Sequence, residues 1–236
     1  MGRVAILLAG VLIGLPAARA EASGLFERVV IIGASVSANE KAPSPGLLLA
    51  RHMGTPPESI FTFAEGGAPS GSHLRQLDQV ARLNPTIIIA VDLFYHGFKA
   101  SLFLTSARKR YIRDYVARLD ATGAVVLLGN LPSLVLLRHE HVNRYLEELA
   151  GEFPRLMLLD VRHLIDGLEP SGMLVHTEAG DVFLRKHDVF ADRVHPNVRG
   201  SSLMANYMME RISQRYPGRI PSTARLPLGP AAPPQR

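Results

Sequence analysis

At 236 residues, 47% hydrophobic and 20% charged, the chain has the composition of one moderate globular domain, which excludes a disordered or low-complexity protein. It has no cysteine, so disulfides, thiolate metal sites, a thiol nucleophile and a lipid tether through cysteine are all excluded. The formal charge of +5 does not point to nucleic acid: Arg3, Arg19, Arg219, Arg225 and Arg236 lie near the two ends, and residues 21–216 balance 21 basic against 21 acidic side chains.

The chain opens with the pattern of an export signal. Arg3 supplies a positive start, Val4 to Leu15 are almost wholly apolar, and Ala18, Arg19 and Ala20 form a small-x-small cleavage pattern. The apolar stretch is nearer the ~7–15 residues of a signal peptide than the ~20 of a membrane span. Residues 1–20 are therefore expected to be removed, leaving an extracytoplasmic protein, periplasmic or secreted, with no integral membrane segment.

The run from Arg28 to Ile32, closed by Gly33, is compact and β-branched from Val29 on, the mark of a buried parallel strand. Similar runs cover Ser59 to Phe63, Thr86 to Val91, Ala124 to Leu128 and Arg155 to Leu159. Helical spacing lies between them. Tyr111, Ile112, Tyr115, Val116 and Leu119 share one face and Gly123 follows; Val142, Tyr145, Leu146 and Leu149 repeat the pattern before Gly151. Leu203, Met204, Tyr207, Met208 and Ile212 predict a last helix. Strands alternating with helices imply βαβ units, a parallel sheet of about five strands and helices on both faces. Residues 168–190 interrupt the alternation: Met173 to Thr177 and Val182 to Arg185 flank Glu178 to Asp181 and predict a β-hairpin, either a substrate wall or a structural edge. From Pro217 to Arg236, Pro and Gly dominate and apolar periodicity is lost, so a disordered tail is expected.

In such a sheet ligands bind beyond the carboxyl ends of the strands, which places Ser35 and Asp92 on one rim. Gly33, Ala34 and Ser35 follow the first strand, where a serine is exposed and glycine permits a sharp turn. Gly66 to Ser72, after the second strand, is a small-residue block able to present backbone N–H groups. Asp192 stands three residues before His195, a spacing that lets the carboxylate bond the imidazole Nδ1 and leaves Nε2 to take a serine proton. Pro196 stiffens the chain there, and Asn197 is placed to cap the last helix.

The order of these blocks resembles the SGNH/GDSL hydrolase family over residues 28–213. The resemblance implies a three-layer α/β/α, flavodoxin-like domain over residues 21–216 and a serine esterase or acyl hydrolase that needs no cofactor. By position, Ser35 matches the nucleophile and contributes its N–H to the oxyanion hole; Asp192 and His195 match the acid and base. Gly71 matches the oxyanion glycine, with Gly66 or Gly67 in a shifted alignment, and Asp92 stands where the family has its oxyanion asparagine. The α/β-hydrolase pattern, Gly-x-Ser-x-Gly, fails because Ser37 occupies its fifth position.

Two departures accompany the resemblance: Ala34 replaces the aspartate of Gly-Asp-Ser, and Asp92 replaces the asparagine. A carboxylate cannot donate to an oxyanion, and one lost donor typically costs ~10²–10³ in rate. Three arrangements of Asp92 are open: protonated beside Leu93 and Phe94, turned away to accept from Tyr95 or His96, or part of a fold that binds without cleaving. The implied partner is a small-molecule, glycan or lipid ester. The alternatives to hydrolysis are an envelope binding or assembly protein and a glycan O-acyltransferase.

His139, Glu140 and His141 suggest a metal, but alternate residues on a helix face apart, so no metal site is expected. Arg108, Lys109, Arg110, Arg113 and Arg118 read as a solvated basic helix face.

Overall fold

The structure, a computed structural model, describes residues 24–40, 42–68, 74–98, 104–132, 139–168, 172–177, 180–192, 195–220 and 224–229. The expected signal segment and Gly71 lie outside the described residues. Among the described residues no helix is long and apolar enough to cross a membrane.

Five parallel strands form the central sheet: β1 (Val29–Gly33), β2 (Ile60–Ala64), β3 (Ile87–Ala90), β4 (Val125–Gly129) and β5 (Leu156–Leu159), in the order β2-β1-β3-β4-β5. Every residue of β1 and β3 is buried, because both strands are interior and both faces are covered. Strand order reverses beside β1, between β2 and β3, and the loops leaving β1 and β3 flank that switch point.

Side chains alternate to the two faces. Val29 and Ile31 pack beneath α1 (Pro45–His52), α6 (Val161–Asp166) and α8 (Val198–Arg215). Val30 and Ile32 face α2 (Leu77–Arg82), α4 (Ser106–Asp120) and α5 (Glu140–Glu152). One short helix, α3 (Tyr95–Phe98), follows β3, and another, α7 (Lys186–Val189), precedes the last loop. The three-layer architecture is thus as expected, with each strand boundary within two residues of the sequence reading. The helices are fixed at their starts by ordinary caps: Ser44 accepts from Leu47 N–H, Asp160 from His163 N–H and Asn197 from Gly200 N–H.

The hairpin is present as β6 (Met173–Thr177) and β7 (Gly180–Leu184), so its second strand begins two residues earlier than expected. Its inner face sets Met173, Val175, Val182 and Leu184 against the core, while Leu174 and Phe183, directly opposite each other, are about half exposed. Residues 224–229 of the Pro-rich tail lie along α8. Asn206 on α8 donates to Leu226 O at 2.9 Å and accepts from Leu226 N–H at 2.7 Å, and Leu226 and Leu228 pack on the core. A Pro-rich segment without periodicity can still lie extended on a helix when a side-chain amide there supplies its hydrogen bonds.

Candidate active site

The site forms where β1 and β3 end. Gly33 closes β1 with φ +152°, and a Cβ there would stand 2.3 Å from Asp92 Oδ1 and 2.5 Å from Ser37 Oγ. Only glycine permits this approach. Ser35 follows, 9% exposed, on a cleft that also touches Val36, Asp92, Tyr95, Asn130 and Pro196. The cleft is open to solvent, and its remaining walls (Val91, Leu131, Phe190, Met204 among them) are apolar. Burial pushes the Tyr95 phenol above its usual range, so this wall stays uncharged.

Asp92 answers the question left open by its replacement of asparagine. Its Oδ1 accepts from Ala34 N–H at 3.0 Å and from the Ser37 hydroxyl at 2.6 Å; Oδ2 accepts from Val36 N–H at 2.8 Å. The carboxylate is therefore an acceptor for the loop that carries Ser35. It has turned away, as one of the three arrangements required, but to Ala34, Val36 and Ser37 rather than to Tyr95 or His96. The register explains this: Val29 to Ile31 of β1 lie beside Ile87 to Ile89 of β3, so both strands deliver their next loops to the same point. Between the two bonded amides, the Ser35 N–H has no partner among the described residues.

Asp192 and His195 are joined twice. Asp192 Oδ2 meets His195 Nδ1 at 2.8 Å, and Asp192 Oδ1 accepts from the His195 N–H at 2.8 Å. The backbone bond sets the loop so that the side-chain bond needs little further ordering. Outer ties hold the same turn: Ala191 N–H to His195 O at 2.9 Å, a bridge between Phe190 and Pro196, and Asn197 N–H to Val189 O at 2.9 Å. Gly200 lets the first turn of α8 press against this loop, since a Cβ there would meet Val189 O at 2.0 Å. With Nδ1 committed to Asp192, Nε2 is the nitrogen left for proton transfer. Pro196, next to His195, lines the same cleft as Ser35. No hydrogen bond joins Ser35 to His195 among the described residues, and such bonds are commonly completed only with substrate.

The first part of the glycine block lies beside β1, where Glu65 N–H donates to Gly33 O at 3.3 Å. Gly67 has φ +72°, and the Cα hydrogen of Gly66 faces the Glu40 carboxylate, where a Cβ would overlap it. Gly71 itself is among the residues not described.

Asn130 was not foreseen. It follows β4 directly, is 4% exposed and lines the cleft, yet sequence analysis stopped at the rim positions of β1 to β3. The signal was there: a polar amide immediately after a buried apolar strand that ends in glycine.

Elsewhere, among the described residues, no group of three or more His, Asp or Glu side chains is arranged to hold a metal ion. His139 is 2% exposed and neither ring nitrogen is bonded among the described residues; burial, then His141, holds it below the usual imidazole range. The basic face of α4 is partly paired, Arg113 with Glu152 and Arg118 with Asp78 at 2.7 Å.

No protein-family model matches the chain, and no curated protein matches it in sequence. Solved structures do match in shape. A GDSL-like lipase from Parabacteroides merdae superposes with TM-score 0.58 at 13% identity, over 78% of this chain and 95% of that one. The psychrotrophic esterase EstA from a Pseudoalteromonas species, in a structure inhibited by monoethylphosphonate, gives 0.57 at 16% identity, over 80% and 97%. The acetyl xylan esterase AlAXEase gives 0.55 at 17%, over 78% and 99%. The chain has the fold of the GDSL-like lipases and esterases.

Proposed function

We propose that this chain is an exported serine esterase or acyl hydrolase that works through Ser35, His195 and Asp192. The observation that carries the reading is the doubly bonded Asp192–His195 pair, which leaves Nε2 as the proton acceptor beside the cleft that holds Ser35. In the reaction, Nε2 takes the Ser35 proton while Oγ adds to the ester carbonyl. Asp192 holds the ring in the tautomer that has Nδ1 protonated and stabilises the imidazolium. The tetrahedral oxyanion is met by the Ser35 N–H and by an N–H of the glycine block, with Gly71 the residue matched by position. Collapse expels the alcohol, protonated by His195; water then adds to the acyl-enzyme with His195 as base, releasing the acid and restoring Ser35.

The apolar walls suit the acyl group. Export rests on the Arg3, Val4–Leu15 and Ala18–Ala20 pattern, and residues 21–216 form the proposed hydrolase domain.

A serine-directed phosphonate probe tests the proposal. Labelling of the full chain that disappears in Ser35→Ala, together with turnover of p-nitrophenyl acetate, is the expected result. Folded wild type that neither labels nor turns over would overturn it and favour a binding protein. Acyl transfer to an added sugar at the expense of free acid would instead identify a transferase.

A further inference from the structure

Asp92 commits its oxygens to the nucleophile loop, so β3 presents no side-chain donor to a developing oxyanion. The next strand does. Asn130 leaves β4 at the same rim, and Gly129 lets β4 close tightly on the residue before Asp92: a Cβ at Gly129 would stand 1.9 Å from Val91 O. Asn130 shares the cleft with Ser35 and Asp92.

Its carboxamide is held in one orientation. Oδ1 accepts from the Arg162 N–H at 2.8 Å, and Nδ2 donates to Asp160 Oδ1 at 2.8 Å. A peptide N–H on one side and a carboxylate on the other permit no flip. Asp160 is itself immobilised, since its Oδ1 caps α6 through the His163 N–H at 3.0 Å and its own N–H reaches Tyr207 OH at 3.3 Å. The main chain of Asn130 is tied too, donating to Leu159 O at 3.0 Å. An amide nitrogen carries two hydrogens, and one is used. The second has no partner among the described residues, on a side chain 4% exposed that lines the cleft. A dipole fixed in advance at a nearly dry wall is what stabilises charge that appears only during reaction.

We infer that the second Nδ2 hydrogen of Asn130 donates to the oxyanion formed at Ser35, supplying from β4 the side-chain donor that β3 lacks. This rests on the hydrolase reading above. Asp160 and the Arg162 N–H act as positioning groups for the amide.

The test uses the full chain and has two readouts. In side-chain amide NMR of the wild type, phosphonylation of Ser35 should move one of the two Asn130 Nδ2 hydrogens downfield and leave its Asp160-bonded twin nearly in place. In kinetics, Asn130→Ala should lower kcat for p-nitrophenyl acetate by about 10²-fold with KM changed less than about three-fold. The preference for the ester over its thiono analogue should also shrink, because sulfur accepts hydrogen bonds weakly, and a purely structural role would not alter that preference. Asn130→Ser takes its place if the alanine variant does not fold. An unmoved amide in the labelled wild type, or a folded variant with unchanged kcat and thiono preference, overturns the inference and leaves the hydrolase reading intact. Failure of the wild type to label at Ser35 would sink the hydrolase reading, and this inference with it.

Discussion

Asp92→Asn separates two accounts of this site because they predict opposite signs. If position 92 served the oxyanion, restoring the amide would supply a missing donor and raise the rate by roughly 10²–10³. The observed bonds predict a loss. With an amide at 92, its oxygen retains Ala34 N–H and the Ser37 hydroxyl, while NH2 replaces the acceptor that faces Val36 N–H at 2.8 Å. Turning the amide over does no better, since NH2 can then donate to the Ser37 hydroxyl but is set against Ala34 N–H. One charge-assisted bond is lost and one N–H is left facing another, which together cost about 2–4 kcal/mol. Asp92 is only partly buried, so water relieves some of this and the lower end, about 2 kcal/mol, is expected. For a domain of this size that is a fall in Tm of roughly 4–8 °C, read by circular dichroism. The rate of phosphonate labelling at Ser35 should fall in parallel, because the displaced loop carries the nucleophile. A variant that melts with the wild type and labels faster would refute the argument.

Three further outcomes follow from other parts of the molecule. Burial holds His139 below the usual imidazole range, so its neutral form stabilises the fold above the unfolded value of about 6.5, and that contribution is lost as pH falls through the folded value; between about pH 6.5 and 5 the wild-type Tm should drop more steeply than that of His139→Leu, and equal slopes would refute this. Removing residues 221–236 deletes the Leu226–Asn206 pair of bonds, the bond from Arg199 to Gly229 O at 3.0 Å and the packing of Leu226 and Leu228, an expected loss of about 2–3 kcal/mol and roughly 4–12 °C in Tm. Ala34→Asp alone sets a second carboxylate near Asp92, whose Oδ1 lies 3.0 Å from the residue 34 N–H, so urea denaturation should find Ala34→Asp and Asp92→Asn less costly together than their sum by more than about 0.5 kcal/mol; additivity within that margin would count against their interaction.

The sheet was legible because β1 and β3 are wholly buried apolar runs, β4 and β5 nearly so, and the edge strand β2 is a short, mostly apolar run, none with a competing helical period. The shorter helices were less so. Pro45–His52 carries a serine cap and a proline in its first turn, but Pro43, Pro45 and Gly46 together also describe a loop, and only packing of Leu49 and Ala50 beneath the sheet decides for a helix. At the site, Asp192 and His195 could be paired from spacing because their bond spans three residues. The partners of Asp92 could not, since they lie 55 to 58 residues away and are brought to it by the pairing of β1 with β3. Asn130 depends likewise on Asp160 and Arg162, 30 and 32 residues on, which reach it across β4 and β5.

The two departures from the family pattern are one rearrangement. Residues 34 and 92 sit at the ends of adjacent parallel strands, and a carboxylate on either can reach the turn between them. Here it stands at 92 and binds the amides on both sides of Ser35, while residue 34 is an alanine that is 1% exposed. Moving the carboxylate secures the loop but consumes the position from which an asparagine would donate. A site arranged this way has two ways to meet an oxyanion: backbone N–H groups alone, or an amide brought in from another strand. Asn130 is the amide inferred for that part: it shares the cleft, is held by Asp160 and the Arg162 N–H, and among the described residues has one Nδ2 hydrogen without a partner. The loss at β3 and the donor at β4 therefore belong together: Asp92 can serve wholly as an acceptor because the donor's work is done from the neighbouring strand.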